Sequence, residues 1–141
     1  MARFNRINLD GKSDTRTALT AAALLPGTLA KLDANGAFVV HATAGKKQDF
    51  VYVLNVDTLQ GKKVTETIAS GDTALGEYAE TGRELAALVV ATAALKIDTP
   101  LTSDGAGKLK IATLGTDEVI AYSQEVVTIG ATADLARVRF A

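Results

Sequence analysis

The chain has 141 residues, which fits one domain, since domains average roughly 150 residues. Hydrophobic residues make up 48% and charged residues 22%, the proportions of an ordinary folded protein. The net charge of −1 excludes a strong positive potential that would attract nucleic acid. The lack of cysteine excludes disulfide cross-links and thiolate chemistry. We therefore expect one folded domain without nucleic acid as a partner, held together by its core or by other partners.

The N-terminal residues are polar and weakly basic, and they follow neither a helix nor a strand period. Arg3, Arg6, Lys12 and Arg16 are interrupted by acidic residues. This pattern predicts an extended N-terminal arm, residues 1–16, followed by one domain, residues 17–141; the arm is either a loose terminus or a segment that becomes ordered on a partner. No apolar run forms a signal peptide or reaches the ~18 residues that cross a bilayer. We expect synthesis in the cytoplasm and no membrane partner.

The body begins with an Ala/Leu-rich stretch, residues 17–25, that favours the start of a short helix ended by Pro26-Gly27. After it, glycine or Asp/Asn turns recur about every 8 to 12 residues between short apolar segments, a spacing typical of antiparallel sandwiches and barrels. Asn35-Gly36 predicts a hairpin with a type I′ turn, because both residues tolerate positive φ.

Three later segments carry strand signals. Residues 50–54 are continuously apolar, which predicts a strand covered on both faces. Residues 64–68 follow as another short apolar segment, and residues 108–112 alternate so that Leu109 and Ile111 point inward. Residues 135–141 alternate to the last residue, which predicts a C-terminal strand with Arg137 and Arg139 on one face.

Residues 84–95 give conflicting signals. Their alanines and leucines favour a helix with a period near 3.6, whereas Val89, Val90 and Thr92 favour a strand. Taken alone, the segment predicts a helix. The chain as a whole predicts an all-β fold, an antiparallel barrel or sandwich with at most one short helix.

Few residues in the sequence suggest catalysis or metal binding. His41 is the single histidine and continues an apolar strand, so we interpret it as a structural residue; a base or a zinc site needs further partners. Asp98, Asp104, Asp117 and Glu118 lack the spacing of a calcium loop and fit solvated turns. Gly105-Ala106-Gly107-Lys108 lacks the spacing of a phosphate-binding loop and precedes a strand, so it predicts a hairpin turn. We expect no enzyme, no metal and no cofactor.

Several segments, in their order along the chain, resemble the capsid decoration, or cement, proteins of tailed bacteriophages. They are Thr15-Arg16-Thr17-Ala18, Leu25-Pro26-Gly27-Thr28-Leu29, Gly61-Lys62-Lys63-Val64 with Ala69-Ser70-Gly71-Asp72, residues 97–105, Val119-Ile120-Ala121-Tyr122 and Ala136-Arg137-Val138-Arg139-Phe140. The resemblance implies a β-barrel or jelly roll in which residues 84–95 form a strand or a strand pair. It also implies a virion protein on the capsid exterior, a homo-oligomer (dimer or trimer) over capsid symmetry axes that bridges subunits of the major capsid protein.

If the resemblance holds, the basic residues of the arm and the C-terminal arginines are the expected capsid contacts. These candidates are Arg3, Arg6, Lys12, Arg16, Arg137 and Arg139. Two other functions stay open at this point. One is a tail or fibre component; the other is a carbohydrate-binding module, which the absence of Trp and the few tyrosines disfavour.

Overall fold

A computed structural model describes residues 3–12, 14–57 and 60–141. The described residues contain no α-helix, and none of them forms a helix long and apolar enough to cross a membrane. The predicted all-β, antiparallel barrel fold is confirmed. Along the described chain the strands are β1 Thr15–Leu19, β2 Leu29–Leu32, β3 Phe38–Val40, β4 Tyr52–Asn55, β5 Thr73–Tyr78, β6 Glu84–Val89, β7 Ala94–Leu95, β8 Pro100–Ser103, β9 Leu109–Ile111, β10 Ala121–Ser123, β11 Val127–Thr128 and β12 Asp134–Phe140.

The strands form two main bodies. The second half of the chain closes into a five-stranded barrel in the order β10-β12-β6-β9-β8, and the first half forms a five-stranded sheet in the order β1-β5-β4-β2-β3. A short pair, β11-β7, lies beside them. Every named pair is antiparallel except β6 with β9, which touch through the parallel pair Val89 and Leu109.

The longest strand is the C-terminal one, as its alternation predicts. β12 pairs with β6 from Asp134 opposite Val89 to Arg139 opposite Glu84. Ala136, Val138 and Phe140 are fully buried inside the barrel. The predicted C-terminal strand is therefore confirmed, with its arginines on the outer face.

Residues 84–95 form a pair of strands, and the helix predicted from their propensity is wrong. β6 ends at Val89, and the chain turns at Thr92, whose φ of 65° lies in the left-handed region, before β7 begins. Ala87 lies opposite Ala136 on the inner face of the barrel and Ala86 lies opposite Arg137 on the outer face, yet both alanines are fully buried. Because both faces of β6 are covered here, packing outweighs a helix preference of a few tenths of a kcal/mol per residue. The strand pair implied by the resemblance is confirmed.

The Asn35-Gly36 hairpin forms, but its turn differs from the predicted type I′. β2 and β3 pair through Leu32 and Phe38, and Gly36 has a φ of 79°, whereas Asn35 keeps a negative φ. The Gly36 N–H donates to the Asp33 carbonyl at 3.0 Å, and the Asp33 carboxylate accepts from two further amides. The turn is a type I turn followed by a left-handed glycine, stabilised by the aspartate.

The strand predicted at residues 50–54 is confirmed from Tyr52 onward: all four residues of β4 are buried, whereas Val51 lies before the strand and is 38% exposed. Three other local predictions are wrong. Residues 17–25 form the end of β1 and an irregular segment instead of a helix start, and residues 64–68 form turns and a single bridge from Leu24 to Ile68. In β9, Leu109 points inward as predicted, but Ile111 is exposed because the strand ends there at the barrel's rim.

The residues predicted as an arm lie on this chain's own sheets. Ile7 is fully buried, and residues 7–9 pair with β6: the Ala86 N–H donates to the Ile7 carbonyl at 2.8 Å, and Asn8 bridges Leu85. β1 begins at Thr15, so this strand crosses the predicted boundary between residues 16 and 17. The N-terminal segment thus connects the barrel to the outer strand of the other sheet.

Gly27 joins the two bodies. Its N–H donates to the Leu54 carbonyl of β4 at 2.8 Å, and its carbonyl accepts from the Leu88 N–H of β6 at 3.0 Å. Its φ is 89°, a value that glycine adopts without strain. A Cβ at this position would lie 2.3 Å from Leu135 Cδ2, so the close approach of the two bodies requires glycine.

Candidate functional site

The structure places three of the predicted contact residues on one surface of the barrel. Arg137 and Arg139 alternate with buried residues of β12 and therefore project from its outer face. Arg3 reaches the same surface from the N-terminal segment: its Nη1 donates to the Leu135 carbonyl at 3.2 Å. We call this surface the arginine face. Its members are Arg3, Glu84, Asp98, Tyr122, Glu125, Arg137 and Arg139.

Each arginine of this face is held by a carboxylate. Arg137 Nε donates to Glu84 Oε1 at 3.0 Å, and Arg139 Nη2 lies 3.8 Å from Asp98 Oδ1. Arg3 forms an ion pair with Glu125. The Glu84 hydrogen bond is the main cause that raises the pKa of Arg137. The face therefore carries ordered guanidinium groups with little net charge.

The arginine side chains remain accessible. Their exposed fractions are 38% for Arg3, 41% for Arg137 and 43% for Arg139, so each pair is screened by water and contributes little to folding. The Arg139 guanidinium also lies over the Tyr122 ring, 5.5 Å from its centroid. These contacts fix the direction of the groups and leave their outer edges free for another surface.

Two exposed apolar residues lie next to the arginine face. Ile97 is 57% exposed and Val126 is 73% exposed. Ile97 lies two residues after β7, and Val126 lies directly before β11, which pairs with β7. The Asp98 N–H donates to the Ser123 carbonyl at 2.8 Å, so the two loops that carry Ile97 and Val126 lie close together. Arginine is enriched at protein-binding surfaces, and the two apolar side chains beside it offer area that binding would remove from water.

The other predicted contact residues lie outside this arrangement. Arg6, Lys12 and Arg16 are exposed on the N-terminal segment, and none joins the ion pairs of the arginine face. Lys12 contacts Arg83 through its backbone: the Lys12 carbonyl accepts a hydrogen bond from Arg83 Nη2 at 3.3 Å. The structure thus brings Arg3, Arg137 and Arg139 together and leaves the rest apart.

A buried polar network anchors the N-terminal segment, and sequence reasoning missed it. Arg83 is fully buried, and its Nε donates to Asp10 Oδ2 at 3.0 Å while its Nη2 donates to Glu77 Oε2 at 3.2 Å. Its Nη1 donates to the Tyr78 carbonyl at 3.0 Å. Asn55 donates to the other Glu77 oxygen at 3.2 Å. We call Asp10, Asn55, Glu77 and Arg83 the buried network.

The only sequence signal for the buried network is weak. Arg83 stands between a glycine turn and the apolar residues of β6, an unusual position for a solvated charge. Its partner Asp10 lies 73 residues away in the sequence, so nothing local identifies the pair. The network fixes the N-terminal segment to both bodies.

The buried network makes stability sensitive to acid. Burial would raise the pKa of Asp10, but the Arg83 hydrogen bond and the amides of Lys12 and Glu84 lower it below its ordinary value. A lowered pKa stabilises the fold above the unfolded value of about 3.9, and this contribution is lost as the pH falls through the folded value. We expect the free energy of unfolding to fall below about pH 4, measured by urea denaturation across a pH series.

The variant Asp10→Asn isolates this contribution. It starts less stable at neutral pH, and its free energy of unfolding should change less than that of the wild type between neutral and acidic pH. The pKa of Glu80 is raised, mainly by its hydrogen bond with Asp14, so this residue makes the protein more stable as the pH falls. Because the wild type and the variant both contain Glu80, its effect cancels when their pH profiles are compared. Parallel pH profiles of the two proteins would contradict the role given to Asp10.

His41 connects the two bodies. It is fully buried, its Nδ1 lies 2.8 Å from Ser103 Oγ at the end of β8, and its Nε2 lies 2.6 Å from the Gln48 carbonyl. Because a carbonyl only accepts, Nε2 carries the proton, and Nδ1 accepts from the Ser103 hydroxyl. Ser103 is fully buried as well, so this hydrogen bond lies inside the protein and links the end of β3 to the end of β8.

The predicted turn at Gly105-Ala106-Gly107-Lys108 is confirmed. It connects the antiparallel strands β8 and β9, and the Asp104 carboxylate accepts from the amides of Ala106 at 2.7 Å and Lys108 at 3.0 Å. Asp104 therefore stabilises a hairpin. Among residues 3–12, 14–57 and 60–141, no three His, Cys, Asp or Glu side chains are grouped so that they could hold a metal ion.

Comparison with known protein-family models and with curated proteins gives no match to this sequence.

Proposed function

We propose that this chain is a non-enzymatic structural protein that binds the outer surface of a phage capsid and stabilises it by bridging major capsid subunits. The observation that carries the proposal is the position of the segments that resemble cement proteins. Residues 25–29 form the junction at Gly27, residues 119–122 lead into β10, and residues 136–140 form its neighbour β12. The resemblance therefore coincides with the elements that build this fold.

The arginine face supports the same function. Arginines already paired with carboxylates can exchange them for carboxylates of another protein at small net cost, because both states are ion-paired. Ile97 and Val126 add apolar area that is removed from water on binding. We assign capsid contact to this surface, with Arg3, Arg137 and Arg139 at its centre.

The mechanism is mass action. A protein that binds only the expanded shell lowers the free energy of that state by its binding free energy. A homo-oligomer over a symmetry axis contacts several capsid subunits at once, so modest contacts combine into strong attachment. The proposed function needs no chemical step. This agrees with the burial of His41 and Ser103, which are hydrogen-bonded to each other inside the protein.

The carbohydrate-binding alternative has less support. Sugar-binding modules present exposed aromatic rings, whereas Tyr52 is buried and donates its hydroxyl to Tyr78, and Tyr122 lies under Arg139. These are the three tyrosines of the chain, and there is no tryptophan.

Co-sedimentation with heads of the encoding phage tests the proposal. Purified protein is mixed with expanded heads that lack it and, separately, with unexpanded heads. We expect saturable, stoichiometric binding to the expanded heads. The double variant Arg137→Ala/Arg139→Ala should bind at least about tenfold more weakly, a loss of ~1.4 kcal/mol.

The matched control removes two other ion-paired surface cations. Lys31 pairs with Asp49 at 3.8 Å and Lys46 pairs with Glu118 at 3.9 Å, and none of these four residues is a member of the arginine face. The variant Lys31→Ala/Lys46→Ala should bind like the wild type. A wild-type protein that does not sediment with expanded heads overturns the function, and equal binding of both double variants overturns the assignment of the surface.

A further inference from the structure

The tip of the β2–β3 hairpin carries a chemically labile pair, Asn35-Gly36. Both residues are exposed, and a Cβ at Gly36 would meet nothing within 4 Å. The backbone nitrogen that follows an asparagine can attack the side-chain carbonyl carbon, because the product is an unstrained cyclic imide. Glycine hinders this attack least, since it has no side chain beside the nitrogen. The tip is therefore accessible both to ring closure and to water.

The other asparagines of the chain lack this combination. Asn5, Asn8 and Asn55 precede arginine, leucine and valine, whose side chains crowd the following nitrogen. The carboxamides of two of them are also held in place: Asn8 Nδ2 donates to a backbone carbonyl at 2.5 Å, and Asn55 Nδ2 donates to Glu77 Oε1 at 3.2 Å. The Asn35 carboxamide makes no hydrogen bond to any residue that the structure describes.

We propose that Asn35 is a site of spontaneous deamidation and that Asp33 sets its rate by holding the turn closed. The Gly36 nitrogen loses its proton to hydroxide and forms a bond to Asn35 Cγ. The bond from Cγ to the side-chain nitrogen breaks, and this nitrogen takes a proton from water and leaves as ammonia. Water then opens the cyclic imide at either carbonyl, which yields aspartate or isoaspartate. The net reaction consumes one water and releases one ammonia, so it needs no partner and is independent of capsid binding.

The closed turn is unsuited to this reaction. The Gly36 N–H donates to the Asp33 carbonyl at 3.0 Å, which shields its hydrogen from hydroxide. Asn35 lies at the third position of a type I turn, where ψ is about 0° and the following nitrogen points away from the side chain. Ring closure therefore requires the turn to open, and the rate follows the population of the open turn.

The Asp33 carboxylate stabilises the closed turn. Its Oδ1 accepts from the amides of Asn35 and Ala37, both at 2.9 Å, and hydrogen bonds to a charged acceptor are stronger than neutral ones. The main-chain bond from the Asp33 N–H to the Ala37 carbonyl, at 2.8 Å, does not depend on the side chain. The variant Asp33→Ala should therefore open the tip more often and leave the hairpin in place.

Conversion changes a hairpin that reaches the core. It adds a negative charge near Asp33, and isoaspartate also inserts its Cβ carbon into the main chain between Leu32 and Phe38, which pair across the hairpin. Phe38 is fully buried, and its ring centroid lies 5.4 Å from that of Tyr52. The modification thus acts at the turn that positions a buried aromatic residue.

Peptide mapping by mass spectrometry tests this inference. Native wild type, wild type unfolded in urea and native Asp33→Ala are incubated at mildly alkaline pH, and the aspartyl and isoaspartyl products are separated by chromatography. We expect conversion at Asn35 in all three samples, fastest in urea. Conversion in Asp33→Ala should be about five- to thirtyfold faster than in the native wild type, because two hydrogen bonds that favour the closed turn are lost.

Asp104→Ala is the matched control. The Asp104 carboxylate accepts from the amides of Ala106 and Lys108 in the β8–β9 hairpin in the same way, so its loss should leave the rate at Asn35 unchanged. If Asp33→Ala does not fold, Asp33→Asn takes its place, because an amide oxygen is a weaker acceptor than a carboxylate and the rate should again exceed that of the wild type.

Two results would overturn the inference. If the native wild type shows no product at Asn35 after several half-lives of the Asp33 variant, Asn35 is not a deamidation site of the folded protein. If the wild type and the Asp33 variant convert at equal rates, or if Asp104→Ala accelerates the reaction as much, Asp33 does not control it.

Discussion

Replacing Arg83 by methionine is expected to lower the free energy of unfolding by about 3–5 kcal/mol. The change removes the cation that Asp10 and Glu77 share inside the protein and leaves both carboxylates buried without it. Three backbone carbonyls, those of Lys12, Asp14 and Tyr78, lose a donor at the same time. Urea denaturation at neutral pH measures the loss.

Arg137→Met is the matched control for this prediction. Arg137 Nε donates to Glu84 Oε1 at 3.0 Å, the same distance that separates Arg83 Nε from Asp10 Oδ2. The two pairs differ in burial: the side chains of Arg137 and Glu84 are 41% and 31% exposed, whereas Arg83 is 0% exposed. We expect a loss of at most about 1 kcal/mol for the exposed pair. Equal losses in the two variants would show that burial does not decide the strength of the network.

The sequence predicts this fold best where one strand carries the whole signal. The alternation of residues 135–141 predicts β12, because a side-chain period of two reports which face of a strand is covered. The unbroken apolar run at residues 50–54 predicts β4, because a strand buried on both faces needs apolar residues at successive positions. Predictions fail where the neighbours decide. Ala86 and Ala87 favour a helix in isolation, yet they are buried on opposite faces of β6, which pairs with a strand far away in the sequence.

The candidate site divides in the same way. The alternation of the sequence predicts that Arg137 and Arg139 lie on an exposed strand face. It does not predict their ion-pair partners, because strand register brings Glu84 to Arg137 and the position of a loop brings Asp98 to Arg139. The register that places Glu84 opposite Arg139 depends on long-range pairing of β6 with β12. The buried network is harder still, because a fully buried arginine looks like a solvated one in the sequence.

The variant Gly27→Ala is expected to lower the free energy of unfolding by about 2–5 kcal/mol through two separate effects. The first is conformational: alanine resists the φ of 89° that Gly27 adopts. The second is steric: the added Cβ would meet Leu135 Cδ2 at 2.3 Å and the Leu88 amide nitrogen at 3.2 Å. Leu135 can rotate away, but the Leu88 backbone belongs to β6 and is fixed by its pairing with β12. The strain therefore falls on the hydrogen bonds by which Gly27 joins the two bodies.

Gly36→Ala separates the two effects. Gly36 has a similar φ of 79°, and a Cβ there would meet nothing within 4 Å, so the variant should lose only the conformational part, about 1–2 kcal/mol. The excess loss in Gly27→Ala measures how tightly the barrel and the five-stranded sheet are pressed together at the junction. If that excess is large, the junction resists deformation, as the proposed bridging of capsid subunits requires. If both variants lose the same free energy, the junction yields easily, and the rigidity must come from the buried network and the His41–Ser103 hydrogen bond instead.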